Sequence, residues 1–262
     1  MADIPLVIES DPEEPACAAV FVDVTVCGHE YRCLLDTGAA RTQLPSNELT
    51  KNFPLAEGTR ESGSVFGRRS WQLGLAADVR VGSVVRHDVP IALATEPTAP
   101  SLLGLDVLRH YSWCFCFSRA ALVEQPASAG GSLPLELGPA GHIYLPAALC
   151  GAEVVGIWDS GAGISVVDDE FYCKHEDWFR PLHLGLGTDS VGMEQPTAIV
   201  EMPAVEVGGE TFPPSVAAVV DLGNVNTGSE RKADVVFGFP LYCQADWFFD
   251  FPGEKWAVTR IG

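Results

Sequence analysis

The sequence predicts an all-β protein built from two copies of one unit, packed as two lobes about a pseudo-two-fold axis. Three observations carry this reading. Short apolar runs alternate with turn residues, helical periodicity is scarce, and a repeat runs through the chain. The 262 residues include 26 Gly and 19 Pro, which punctuate the apolar runs. Hydrophobic residues make up 47% and charged residues 19%, a balance that builds a core and argues against disorder.

In chain order, Ala18 to Val26 (AAVFVDVTV) has the alternation of a strand. Cys27-Gly28-His29-Glu30 reads as a turn, and Tyr31 to Leu35 as the returning strand. Trp71 to Val81, Val84 to Leu93, Trp113 to Phe117 and Trp247 to Phe251 are further predicted strands. Leu105 to Tyr111 and Asp168 to His175 each allow one or two helical turns. Gln125 to Gly131 (QPASAGG) is small, polar and Gly-rich, and reads as a linker.

The repeat organises these elements. Cys27-Gly28 precedes Asp36-Thr37-Gly38-Ala39 as Cys150-Gly151 precedes Asp159-Ser160-Gly161-Ala162, at a constant offset of 123 residues. Ile4-Pro5-Leu6 matches Leu133-Pro134-Leu135, and Asp78 to Gly82 matches Ala204 to Gly208. Leu103-Gly104-Leu105 matches Phe237-Gly238-Phe239, and Trp113 with Phe117 matches Trp247 with Phe251. The unit is therefore about 125 residues long, and the domains are expected at 1–127 and 128–262. Two such units pack about a two-fold axis as a homodimer does.

Asp plus Glu number 35 against 16 Lys plus Arg, a formal charge of -19. Such a surface repels phosphate backbones and anionic lipid, so neither nucleic acid nor membrane is an expected partner. No apolar stretch reaches the ~20 residues of a membrane helix. Met1 to Pro15 has no basic or apolar region of a secretion signal, so a cytoplasmic location is expected. The 8 cysteines are then expected as reduced thiols, with Cys114 and Cys116 packed in an aromatic strand. Cys173 and His175 lie too close for a usual zinc pattern. The histidines at 29, 87, 110, 142, 175 and 183 are scattered and read as surface or core residues. No metal and no cofactor is expected.

Chemistry concentrates in the repeated Asp-[Thr/Ser]-Gly-Ala. Each copy follows an apolar strand end, Cys33-Leu34-Leu35 or Gly156-Ile157-Trp158. A lone aspartate there more often caps its own turn. A symmetric pair instead brings two carboxylates face to face. Gly lets the partner lobe approach, and the Thr37 and Ser160 hydroxyls are placed to bond across the axis. Two facing carboxylates cannot both ionise, so they share one proton. The ionised member then activates water while the protonated one polarises a carbonyl.

With these motifs, and with Leu102-Leu103-Gly104 and Val236-Phe237-Gly238 following them, the sequence resembles the aspartic proteases over nearly its whole length. It is closer to retropepsins than to pepsins: each half has about the length of a retropepsin subunit, and Ala39 and Ala162 occupy the fourth motif position as in retropepsins. The resemblance implies two retropepsin-like acid-protease β-barrel lobes, a fused dimer for which a monomer is sufficient. It implies an aspartic endopeptidase acting on an extended peptide between the lobes, with Asp36 and Asp159 catalytic and Thr37, Gly38, Ser160 and Gly161 supporting them. Gly63 to Arg69 (GSVFGRR) and Gly187 to Met193 (GTDSVGM) stand where flaps occur, with Val65, Phe66, Gly67, Ser190, Val191 and Gly192 as substrate-binding residues. Neither contains the Tyr of a pepsin flap. Pro5 to Glu9 and Lys255 to Ile261 are expected to pair with Pro134 to Leu137 and Ala120 to Glu124 in an interface sheet, as termini do in retropepsins.

Without a hydroxyl at Ala39 and Ala162, each carboxylate has one hydrogen bond fewer to favour ionisation. Activity is therefore expected in mildly acid to near-neutral conditions. The alternatives are a non-catalytic peptide-binding or scaffold protein that keeps the fold, and a zymogen that removes the acidic head Glu9 to Glu14. Two intact aspartates argue against the first, and the place of Pro5 to Glu9 in the repeat argues against the second.

Overall fold

The structure is a computed structural model that describes residues 3–63, 68–95, 99–125, 133–138, 141–188, 194–227 and 231–261. The linker segment Pro126 to Gly131 and the expected boundary at 127/128 lie outside these residues, as do the flap positions Val65, Phe66, Gly67, Ser190, Val191 and Gly192.

The first half runs β1 (Ile4–Ser10), β2 (Ala18–Val26), β3 (His29–Leu35), β4 (Gln43–Pro45), β5 (Leu55–Gly63), β6 (Arg68–Val81), β7 (Val84–Ala94), β8 (Leu102–Leu103), α1 (Leu105–Leu108), β9 (Ser112–Cys116) and β10 (Ala121–Gln125). The second half runs β11 (Leu133–Pro134), β12 (Glu136–Leu137), β13 (Ile143–Leu149), β14 (Ala152–Trp158), β15 (Ser165–Asp168), α2 (Asp169–Lys174), β16 (Arg180–Thr188) and β17 (Glu194–Met202). It continues with β18 (Val205–Val207), β19 (Glu210–Phe212), β20 (Ser215–Val220), α3 (Gly223–Asn226), β21 (Val235–Phe237), α4 (Phe239–Tyr242), β22 (Ala245–Asp250) and β23 (Lys255–Arg260).

Alternation places these strands. In β2, Ala18, Val20, Val22, Val24 and Val26 are buried while Asp23 is exposed. The turn after it is tighter than the sequence suggests. Only Cys27 (φ 48°) and Gly28 (φ 82°) leave the ladder, and His29 already pairs with Val26. Cys150 (φ 49°) and Gly151 (φ 81°) make the same turn between β13 and β14. Positive φ at both central residues is the hairpin geometry that matches strand twist. The two helical turns are short. The first stops at Leu108, and the Asp168 carboxylate caps the second by accepting from the Phe171 N–H at 3.4 Å.

The two halves share one interface sheet, in the order β11-β23-β22-β9-β10-β1. The terminal segments do enter it, but the pairing is sorted by half. Pro5 in β1 pairs with Ala121 in β10, and Pro134 in β11 pairs with Lys255 in β23. The lobes join in the middle, where β9 and β22 run antiparallel with Phe115 opposite Trp247 and Trp113 opposite Phe249. Each pair joins one copy of the repeated aromatic strand to the other, so the pseudo-two-fold axis passes between these strands. The aromatic residues supply the reason for this register. Trp113, Phe115, Trp247 and Phe249 are all fully buried and form the floor of the molecule. The Trp113 indole donates to the Leu108 carbonyl at 2.9 Å, and the Trp247 indole to the Tyr242 carbonyl at 2.8 Å, the same contact in each lobe. Trp158, which ends β14, packs on this floor with its ring 4.9 Å from Phe115 and 4.7 Å from Phe249. All eight cysteines are free thiols.

Candidate active site

Each motif begins where an interior strand ends. The Asp36 N–H donates to the Leu103 carbonyl at 3.0 Å, and the Asp159 N–H to the Phe237 carbonyl at 3.2 Å. Those carbonyls belong to β8 and β21, which run parallel to β3 and β14, with Leu35 beside Leu103 and Trp158 beside Phe237. The hydrophobic-hydrophobic-Gly segments thus hold the strand ends that carry the carboxylates. Their glycines are required by space. A Cβ on Gly104 would lie 2.5 Å from the Arg41 carbonyl carbon, and one on Gly238 would lie 2.2 Å from the Ile164 carbonyl oxygen. The Leu105 N–H then donates to the Ala39 carbonyl and the Phe239 N–H to the Ala162 carbonyl, each at 2.9 Å.

Thr37 and Ser160 tie the two loops together across the axis. The Ser160 hydroxyl donates to the Leu35 carbonyl at 2.6 Å and accepts from the Thr37 N–H at 3.1 Å. The Thr37 hydroxyl donates to the Trp158 carbonyl at 3.3 Å and accepts from the Ser160 N–H at 3.0 Å. Both side chains are buried, so water does not compete for these bonds. Arg41 stays within its own lobe, with its guanidinium donating to the Pro90 carbonyl at 3.3 Å.

The grip brings Asp36 and Asp159 together, each against the opposite lobe's glycine. A Cβ on Gly38 would sit 2.4 Å from an Asp159 oxygen, and one on Gly161 would sit 2.4 Å from the Asp36 carboxyl carbon. In both loops glycine therefore makes room for the partner's carboxylate. Asp36 accepts from the Ala39 N–H at 2.8 Å. Asp159 accepts from Gly161 N–H at 2.9 Å and from Gly38 N–H at 3.0 Å.

Burial and the facing charge push Asp36 up to about 8. Asp159 is also raised, by burial, while Gly161, His142, Gly38 and its hydrogen bond with Asp36 act in the opposite sense. Both carboxyls are raised and hydrogen-bond each other, so the pair takes up its shared proton and titrates as a unit.

Two neighbours of the dyad escape motif reading. The Tyr242 hydroxyl donates to the Ser160 carbonyl at 2.9 Å, and burial beside the carboxylates holds its phenol well above its ordinary value, hence protonated. His142, read from the sequence as an ordinary surface or core residue, lies beside Asp159. Its ring hydrogen-bonds the Gly38 backbone and feels the Asp159 charge. The repeat holds a signal for both. At the equivalent positions the first half has Leu108 for Tyr242 and Ala19 for His142, so each breaks the symmetry next to a motif that keeps it.

Residues 22–110 match a family model described as gag-polyprotein putative aspartyl protease, a span that includes the Asp36 loop and Leu102-Leu103-Gly104. No curated protein matches the chain in sequence. Among solved structures, the aspartic proteinase from Irpex lacteus is similar over 100% of this chain and 97% of its own, with 13% identity and a TM-score of 0.64. At that identity the likeness is one of fold. No helix among the described residues is long and apolar enough to cross a membrane. The chain has the all-β, two-lobed fold of an aspartic proteinase.

Proposed function

We propose that this protein is an aspartic endopeptidase, with Asp36 and Asp159 as its catalytic pair. One observation carries the reading: two carboxylates, one from each lobe, are buttressed by the opposite lobe's Gly38 and Gly161 and raised so that they share a proton. A pair of turn caps requires no such approach and no shared proton. The ionised carboxylate takes a proton from a water held between the two groups. The protonated one polarises the scissile carbonyl, and the proton then passes to the leaving amine. The chain's own residues supply each of these steps.

The fold supports a peptide as substrate. Among the described residues, β5 and β16 are the outermost strands of their sheets, and an extended chain adds to such an edge through backbone hydrogen bonds. Leu182, Leu184 and Leu186 on β16 are exposed, Leu184 by 80%, which provides apolar contact near that edge. The match of residues 22–110 to a protease family model favours the same activity.

The test is incubation of wild type and Asp36→Asn with a diverse peptide mixture from pH 3 to 8, reading new termini by mass spectrometry. The expected result is cleavage by the wild type alone, strongest in mildly acid to near-neutral buffer. Peptide binding without cleavage by a folded wild type would replace the enzyme with a peptide-binding protein. A rate maximum below about pH 3 would contradict the raised dyad.

A further inference from the structure

Asp159 and Asp36 occupy equivalent sites in a repeat, yet their surroundings differ at one position. In the β13–β14 ladder, Ile143 pairs with Trp158, so the next position places His142 opposite Asp159. In the β2–β3 ladder, Phe21 pairs with Leu34, which places Ala19 opposite Asp36. Continued past the last paired residues, the two registers set an imidazole at one carboxylate and a methyl group at the other.

The tertiary contacts hold the imidazole there. Gly141, at φ 93°, turns the chain toward the first lobe, and a Cβ on it would touch Leu105 at 3.5 Å. The Gly138 N–H donates to the His142 carbonyl at 2.9 Å. The His142 ring then donates to the Gly38 carbonyl, in the loop whose Gly38 N–H holds Asp159 at 3.0 Å. Asp159, at the end of β14, is the titratable group that acts on His142, and Asp36 lies behind it. Leu105 from α1 and the Gly38 carbonyl carry no charge.

We infer that His142 is a positioning residue that breaks the symmetry of the dyad, holding Asp159 as the ionised member and leaving the proton to Asp36. This rests on the endopeptidase reading above. Burial lowers the imidazole's own proton affinity, while Asp159 and the Gly38 carbonyl raise it. His142 is thus neutral at neutral pH and takes up a proton as the medium turns acid. The cation so formed opposes protonation of Asp159, which extends the one-proton state of the dyad to lower pH. At higher pH the neutral ring adds no charge, so loss of the shared proton from Asp36 is unaffected.

The experiment compares pH profiles of kcat/KM for wild type and His142→Gln, which keeps a donor for the Gly38 carbonyl but cannot ionise. The acid limb is expected to move up by about one pH unit, a tenfold change in proton concentration, with the alkaline limb unmoved. Superimposed acid limbs, or a uniform loss of rate at every pH, would overturn the inference. A second measurement is independent of cleavage: the imidazole titration of His142 by NMR in wild type and Asp159→Asn. Its midpoint is expected to fall by about one unit when the carboxylate is removed, and an unchanged midpoint would refute the coupling. If the wild type cleaves nothing while the midpoint falls, the endopeptidase reading fails and the His142–Asp159 coupling stands.

Discussion

At the scale of single residues, the dyad couples protonation to stability. A carboxyl raised from 3.8 to about 8 on folding holds its proton in the folded chain where the unfolded chain has released it. Stability from this group is fully present below the unfolded value and is lost as the pH rises through the folded one. The wild-type Tm is therefore expected to fall between pH 4 and 8. Asp106 and Asp234, also raised by burial, contribute in the same direction, so the informative quantity is the difference between wild type and Asp36→Asn. That difference is expected to narrow as the pH rises through this window if the shared proton is the cause. Parallel Tm curves would show that Asp36 carries no raised affinity. The motif made both aspartates legible in the sequence, because the same four residue types recur at a fixed offset. His142 and Tyr242 were not legible, because their roles come from contacts across ladders and lobes rather than from neighbours in the chain.

At the scale of elements, the two loops are held by each other. Ser160 and Thr37 share a buried set of four hydrogen bonds to main-chain atoms, two from each side chain. Removing one partner leaves buried donors or acceptors unpaired, at about 1–3 kcal/mol each. Ser160→Ala and Thr37→Val are each expected to cost that much in urea unfolding, and the double variant less than the sum, because the second change removes a grip already broken. Strictly additive costs would mean that the hydroxyls act as independent turn caps. Element types were readable in advance where alternation was strong, as in β2. Element ends were less so. Phe117 leaves its strand for a short 3-10 turn, and β6 begins at Arg68 rather than Trp71, since its first residues pair with β5. An apolar pattern records which face is buried and carries no mark of where a neighbouring strand stops.

For the molecule as a whole, the interface sheet makes the lobes interdependent. At the β9–β22 junction, the buried Ser112 hydroxyl of the first half donates to Asp250 of the second at 2.7 Å. Ser112→Ala leaves that carboxylate oxygen with the Gly253 N–H as its remaining partner. The expected cost is about 1–3 kcal/mol, seen in denaturant as an earlier midpoint of one cooperative transition, because the aromatic floor belongs to both halves. Two separate transitions in the variant would show that each lobe folds on its own core. The composition of the two aromatic strands shows that they are equivalent; that they pair with each other, while β1 and β23 stay with their own halves, follows from packing four large rings on one floor.

The linear order of residues was enough for the β class and for expecting a repeat that brings two aspartates face to face. These depend on alternation, turn chemistry and recurrence, which are local or strictly periodic. The approach of the carboxylates, the sorted interface sheet and the placing of His142 near Asp159 were decided by the tertiary structure. The first two depend on distances between segments more than a hundred residues apart, the third on the register of one hairpin, and all on the burial that only the assembled lobes provide.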